Sequence, residues 1–264
     1  MFSKIYLLIL ISTFPFLLPA QRNQFKFQDQ KVPTGKVFIY EKSNIDGTHK
    51  SNIAVYYSHP DTLESLKWTA SYAGATLVVA SLNWEIFSVN SFDTYQIQES
   101  GQRKKVATLR TLEDQQIAVN VPGVFQDTVS LQSFPWQSYD FDFAGLGAIM
   151  PHCKNPKKSI NIAISDFYLK NGAPNFGEKG MVMLQYLGDE ERQGLDCTKY
   201  KIDGPGLENK GGLIWFEKSQ AYLVAYEIQL PDEPGFKDGK LQLKEVRSLS
   251  LQDWKLTLER GKVE

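Results

Sequence analysis

A mainly β chain, folded as a single strongly curved antiparallel sheet or half-barrel with one or two short covering helices, is what this sequence predicts, and three observations predict it. In Asn52-Ile53-Ala54-Val55-Tyr56-Tyr57 and in Ile160-Asn161-Ile162-Ala163-Ile164, bulky aliphatic residues take every second position. That alternation buries one face of a strand and leaves the other wetter. Between the apolar runs stand Asp46-Gly47, Ala73-Gly74, Ser100-Gly101 and Gly188-Asp189, pairs that tolerate positive φ and mark reversals. No composition break or linker divides the chain, so a dozen strands joined by short reversals form one meander, wide enough to curl on itself.

The elements follow in order. Met1 to Ala20 runs from Lys4 through an apolar stretch, Ile5 to Leu18, to Leu18-Pro19-Ala20. A membrane span needs roughly 20 apolar residues, and this stretch is shorter and carries Pro15, so it reads as a signal peptide removed on export. Residues 21–35 form an irregular lead-in ending at Pro33-Thr34-Gly35, and 36–260 form a single β-rich domain. Strands are expected at Val37–Glu41, around Asn52–Tyr57, and at Ser65–Ser71, Ala75–Val89, Thr94–Gln98, Lys105–Arg110, Gln116–Val121 and Thr128–Gln132. A second series covers Ile160–Ile164, Met181–Leu187, Cys197–Ile202, Gly212–Glu217, Ala221–Leu230 and Lys240–Arg247. One helix is expected over Asp140–Met150, stopped by Pro151, although Gly145 and Gly147 each weaken it by roughly 1 kcal/mol relative to Ala. A second begins at Ser250-Leu251-Gln252-Asp253, a capping box ahead of Trp254, Leu256 and Leu258.

With 42% apolar and 22% charged residues the chain supplies enough hydrophobic area for a large core. Lys and Arg total 29 against 30 Asp and Glu, a net charge of −1 that leaves no basic footprint for nucleic acid. No segment after the leader has the length and apolarity of a transmembrane span, so the mature chain is expected in the periplasm or outside the cell. In that oxidising setting Cys153 and Cys197 can form a disulfide, worth about 4 kcal/mol on chain-entropy grounds, or stay as two buried thiols. His152 beside Cys153 adds a third ligand type, but zinc takes four closely placed ligands and neither cysteine belongs to a C-x-x-C pair, so no metal site is assigned.

Several stretches share a family likeness: Glu64–Trp68 (ESLKW), Ala80–Ser88 (ASLNWEIFS), Trp136–Phe143 (WQSYDFDF), the run from Lys201 to Phe216 (KIDGPGLENKGGLIWF) and Leu230–Phe236 (LPDEPGF). Together they resemble a family of exported bacterial β-rich proteins with no assigned activity, distantly similar to the half-barrel of periplasmic lipoprotein-localisation factors, over roughly residues 35 to 255. The resemblance implies a sheet wrapped around an apolar cavity that helices close and acyl chains fill, and it carries over no catalytic residue. Both faces are apolar in Ala221–Tyr226 and Gly212–Phe216, as in a strand covered on one side and lining an interior on the other, or in a two-sided core. From alternation, Trp68, Trp84, Phe87, Trp136, Trp215 and Tyr226 are the candidates to line such a pocket.

Asp140 and Asp142 are the best-paired carboxylates; in an extended strand they would share a face about 6.6 Å apart, within range of acid–base or cation chemistry. Helix N-capping ahead of Phe143–Met150 explains them as well and is read first. His49 and His59 sit in turn contexts, and His152 is the one histidine next to a potential nucleophile. G-x-S-x-G, H-E-x-x-H and Walker patterns are missing, and Gly145-Leu146-Gly147 lacks the third glycine of a dinucleotide turn. Asp203-Gly204-Pro205-Gly206 and Lys210-Gly211-Gly212 read first as turn geometry. The sequence therefore predicts an exported, non-enzymatic envelope protein without cofactor, holding a lipid-like or other hydrophobic small molecule in an apolar groove. Two alternatives stand: a hydrolytic or cation-dependent enzyme using Asp140, Asp142 and His152, and a structural domain with an envelope protein partner.

Overall fold

A computed structural model describes residues 24–69, 74–98, 100–113, 115–231 and 235–263; the leader at 1–20, the Ala73 turn position and most of the Pro231–Gly235 turn lie outside them. Strands β1 (Lys36–Ser43), β2 (Ser51–His59), β3 (Thr62–Trp68), β4 (Gly74–Asn83), β5 (Ser88–Gln98), β6 (Arg103–Thr111), β7 (Gln116–Val121) and β8 (Phe125–Ser130) make the first arm. The second arm holds β9 (Trp136–Gln137), β10 (Ile160–Lys170), β11 (Ala173–Arg192), β12 (Leu195–Asp203), β13 (Gly212–Glu217), β14 (Leu223–Ile228) and β15 (Gly239–Ser248). All belong to one strongly curved, unclosed sheet, ordered β8 to β1, then β15 to β9. Antiparallel pairing of β1 with β15 joins the arms at the centre, and the two-residue β9 runs parallel to β10 at the far edge.

Period two decides the two faces. Phe38, Tyr40, Ile53, Val55, Leu63, Val78, Leu109, Ile162, Leu184, Ile214 and Tyr226 belong to one cluster on the inner face, and Val37, Ala54, Tyr56, Leu66, Leu77 and Ile97 to a second on the outer face of the first arm. Each face needs a cover. Helix α1 (Ala144–Ile149), continued by a 3-10 turn at Met150–His152, lies against the inner face with every residue buried. Helix α2 (Leu251–Arg260) covers the outer face through Trp254 and Leu258. Its start is the expected cap, with the Ser250 hydroxyl accepting from the Asp253 N–H at 3.1 Å.

Three expectations change. Ala75–Val89 is two strands, separated by a turn in which Phe87 adopts φ 52°. Gly188 lies inside the twenty-residue β11, where the register against β12 shifts between Tyr186 and Gly188, so it marks a bulge; the reversal comes at Gln193-Gly194, both at positive φ. Asp140 and Asp142 do not cap α1: the N-cap is Phe143, without a side-chain cap, and Asp142 bonds elsewhere. Gly145 inside α1 answers to packing, since a Cβ there would collide with the Gln137 side chain.

Residues 131–143, the crossing segment, lead from β8 at one edge of the sheet through β9 at the other edge to α1. Along the way Trp136 donates its N–H to Ser88 Oγ at 2.9 Å, Gln137 Nε2 donates to the Phe87 carbonyl at 2.9 Å, and the Ala163 N–H donates to the Pro135 carbonyl at 2.8 Å. Near the seam, Glu178 accepts from the N–H groups of Gln132 and Ser133 and from the Ser133 hydroxyl. The arms are thus tied across the gap that strand pairing leaves open.

Candidate functional site

Where the arms face each other the inner surface is not filled. A cavity of about 270 Å³ is walled on one side by Thr76, Val78, Phe92, Thr94, Ala107 and Leu109, and on the other by Trp136, Ser138, Asp140, Asp166, Phe167 and Phe176. The first group comes from consecutive inner positions, because Val78 pairs with Thr94 and Phe92 with Leu109 in register. The second comes from the crossing segment and from the β10–β11 hairpin, where Phe167 pairs with Phe176 and their rings meet edge to face at 5.2 Å. A second cavity, of about 210 Å³, opens between Lys31 and Lys36 of the N-terminal side and Gln220, with Phe38, Tyr57, Tyr222, Pro151 and Gly147 as walls.

Two buried carboxylates mark this interior. Asp142 receives Lys42 Nζ at 2.6 Å, Lys67 Nζ at 3.8 Å and the Tyr226 hydroxyl at 3.2 Å. Burial pushes its carboxyl up, but the two ammonium groups outweigh that and leave it below the usual carboxylate range. Asp166 lies on the cleft. Its Oδ2 accepts from the Tyr139 N–H at 3.0 Å, and no hydrogen bond of normal geometry reaches its buried Oδ1. Burial raises it to about 7, against the lowering effects of the Ser138 hydroxyl, the Tyr139 N–H and Lys179. The sequence reading passed over Asp166, yet the signal was there: the inner phase of Ile160, Ile162 and Ile164 continues onto it.

The six aromatic candidates do not share one place. Trp136 lines the cleft, its ring 6.2 Å from that of Phe176. Tyr226 lies under α1, bonded to Asp142. Trp84 and Phe87 form an aromatic nest with His152, closed by the lead-in: Phe25 stacks on Phe87 at 5.2 Å, and Phe27 meets Trp84 at 4.9 Å. Trp215 faces outward, covered by the Arg192 guanidinium 4.3 Å from its ring centre and donating Nε1 to Glu190. Trp68 packs against the outer cluster beneath α2.

The residues named for chemistry are dispersed too. Asp142 is paired with Lys42, Asp140 is exposed at the cleft, and His152 sits in the aromatic nest, its Nδ1 accepting from the Gln28 N–H at 3.2 Å. Burial, with Lys31 nearby, lowers His152 to about 4. Cys153 and Cys197 are free thiols, which corrects the disulfide expectation. Cys197 stands in register with Glu190 in β12 and is wholly buried, whereas Cys153 ends the 3-10 turn beside Phe25, and no bond joins the two. Burial raises both thiols, Cys197 to about 11. Among the described residues no group of three or more His, Cys, Asp and Glu side chains is placed to hold a metal ion, and no helix is long and apolar enough to cross a membrane. The glycine-rich loop is a turn, folded on Asp203 Oδ1, which accepts from the N–H groups of Gly204 and Gly211.

No protein-family profile matches the chain, and no curated protein does. Among solved structures it is similar to a domain provisionally described as an outer membrane lipoprotein-sorting protein from Vibrio parahaemolyticus, at 12% identity over 88% of this chain and 94% of that one, with a TM-score of 0.32. It is also similar to a provisionally exported protein with a YmcC-like fold from Bacteroides fragilis, at 10% identity over 85% and 99% of the two chains, with a TM-score of 0.28. A LolA superfamily protein from Nitrosomonas europaea matches at 10% identity over 88% and 91%, with a TM-score of 0.25. These are distant likenesses, and at this level they say nothing of what the chain binds.

Proposed function

We propose that this chain is an exported, non-enzymatic envelope protein that holds a lipid-like or other hydrophobic small molecule in the cleft between the two arms of its sheet. The observation that carries this reading is the unfilled cavity of about 270 Å³ bordered by Val78, Phe92, Leu109, Trp136, Phe167 and Phe176. Protein interiors pack to crystal density, so a hollow of this size lined by aromatic and aliphatic side chains forfeits dispersion contacts that a ligand restores. Its volume lies near the lower end of the roughly 300–1,000 Å³ typical of small-molecule pockets. Export rests on the Met1–Ala20 leader. Spread over three separate places, Asp140, Asp142 and His152 give the enzymatic alternative no shared centre.

Filling the cleft tests the reading. Ala107→Phe projects a ring into it from β6, and the variant should bind the dye N-phenyl-1-naphthylamine at least about tenfold more weakly than the unmodified protein while keeping a similar Tm. Equal uptake by the two proteins, or no uptake by either together with no co-purifying lipid in native mass spectrometry, would leave the fold with a structural role.

A further inference from the structure

The charge on the cleft has one sign. Among the described lining residues the charged groups are Asp140, exposed at the surface, and Asp166, almost wholly buried; no lysine or arginine contributes to the wall. Two neighbouring cations are engaged. Lys67, whose register partner Thr76 belongs to the wall, reaches Asp142 at 3.8 Å, and Lys179 of β11 reaches Glu208 at 4.0 Å. Asp166 Oδ1 is buried and makes no hydrogen bond of normal geometry, although the Ser138 hydroxyl and the Asp140 N–H lie close enough to lower the carboxyl.

We infer that the cleft selects an amphiphile with a cationic end, an alkylammonium, whose chain lies on Val78, Phe92, Leu109 and Phe176 and whose head faces Asp140 and Asp166. The inference rests on the hydrophobic-ligand reading above. In a poorly solvated apolar site an ammonium group gains charge-assisted hydrogen bonds from the carboxylates, whereas a carboxylate or phosphate head meets like charge and no lysine or arginine on the wall to compensate. Asp166 titrates near neutrality, at about 7. Around it the charged groups are Asp140 on the crossing segment and Lys179 on β11, and the facing wall of β4 to β6 presents Thr76, Val78, Phe92, Thr94, Ala107 and Leu109. Selection for the cation should therefore be stronger at pH 8, where Asp166 is ionised, than at pH 5.5, where it holds its proton.

The experiment displaces N-phenyl-1-naphthylamine from the exported protein with decylamine, decanol and decanoate, below their micelle concentrations, at both pH values. Decylamine should displace the dye at a concentration at least about tenfold lower than decanoate at pH 8. The gap should narrow at pH 5.5 and in Asp166→Asn, through weaker displacement by decylamine. Asp140→Asn, at an exposed position, supplies the second variant should Asp166→Asn fail to fold. Decanoate matching decylamine, or a preference for the amine unchanged in both variants, would overturn the cationic selection and leave the hydrophobic reading in place. Dye uptake that none of the three compounds displaces would overturn both.

Discussion

Lys42 occupies an inner position of β1, in phase with Phe38 and Tyr40, and is wholly buried. An ammonium group so placed is tolerable only with a partner, and Asp142 at 2.6 Å is that partner. Lys42→Met should therefore cost roughly 3–5 kcal/mol, because it leaves the Asp142 charge buried with the more distant Lys67 and the Tyr226 hydroxyl. Lys42→Met combined with Asp142→Asn should recover part of that loss in urea unfolding, and an equal or greater loss would show that the pair is not energetically coupled. His152 carries a pH dependence. Folded, its ring stays neutral down to about pH 4; unfolded, it takes up a proton near its ordinary value of about 6.5. In between, the unfolded state binds more protons, so stability falls as the pH drops from about 6.5 to about 4, by at most about 3 kcal/mol. His152→Gln keeps an acceptor for the Gln28 N–H and lacks this titration, so its Tm should vary less across that window. A slope identical to that of the unmodified protein would remove His152 from the acid response.

Among the elements, the C-terminal helix was the most legible, because a cap needs only residues close in sequence. Ser250 Oγ accepts from the Asp253 N–H as a cap does, and its hydroxyl donates to the Asp253 carboxylate. Ser250→Ala should destabilise the protein by about 1 kcal/mol, with amide exchange accelerating in α2 first; unchanged exchange there would mean that Trp254 packing alone sets the helix start. The strands at Gln116–Val121 and Gly212–Glu217 were equally clear, bounded by turns on both sides. The 75–89 run misled because apolar residues continue through a turn: Trp84, Ile86 and Phe87 pack against the inner cluster, so hydrophobicity does not fall where the chain reverses. For α1 the two glycines argued against a helix, yet close packing against Gln137 requires the one at Gly145. Propensity sees the residue, and packing sees the neighbour.

For the whole molecule, the joining of β1 to β15 brings together segments about two hundred residues apart in sequence and sets both the curvature and the opposition of the arms. The same topology separates the cysteines. Unfolded without reductant, the protein should therefore titrate as two reactive thiols in an Ellman assay, and none would restore the disulfide. Alternation, turn pairs and the apolar leader are local properties, so the sequence by itself determined a β-rich, single-sheet protein, the phase of its strands and the expectation of export. The tertiary structure alone decided that Trp136 borders a hollow while Trp68 and Trp215 face outward, that Asp142 meets Lys42 in place of a helix end, and that Asp166 stands on a cavity. The physical reason is that these outcomes depend on which arm lies opposite which, and that opposition is fixed by pairings and a crossing segment that no short stretch of sequence contains.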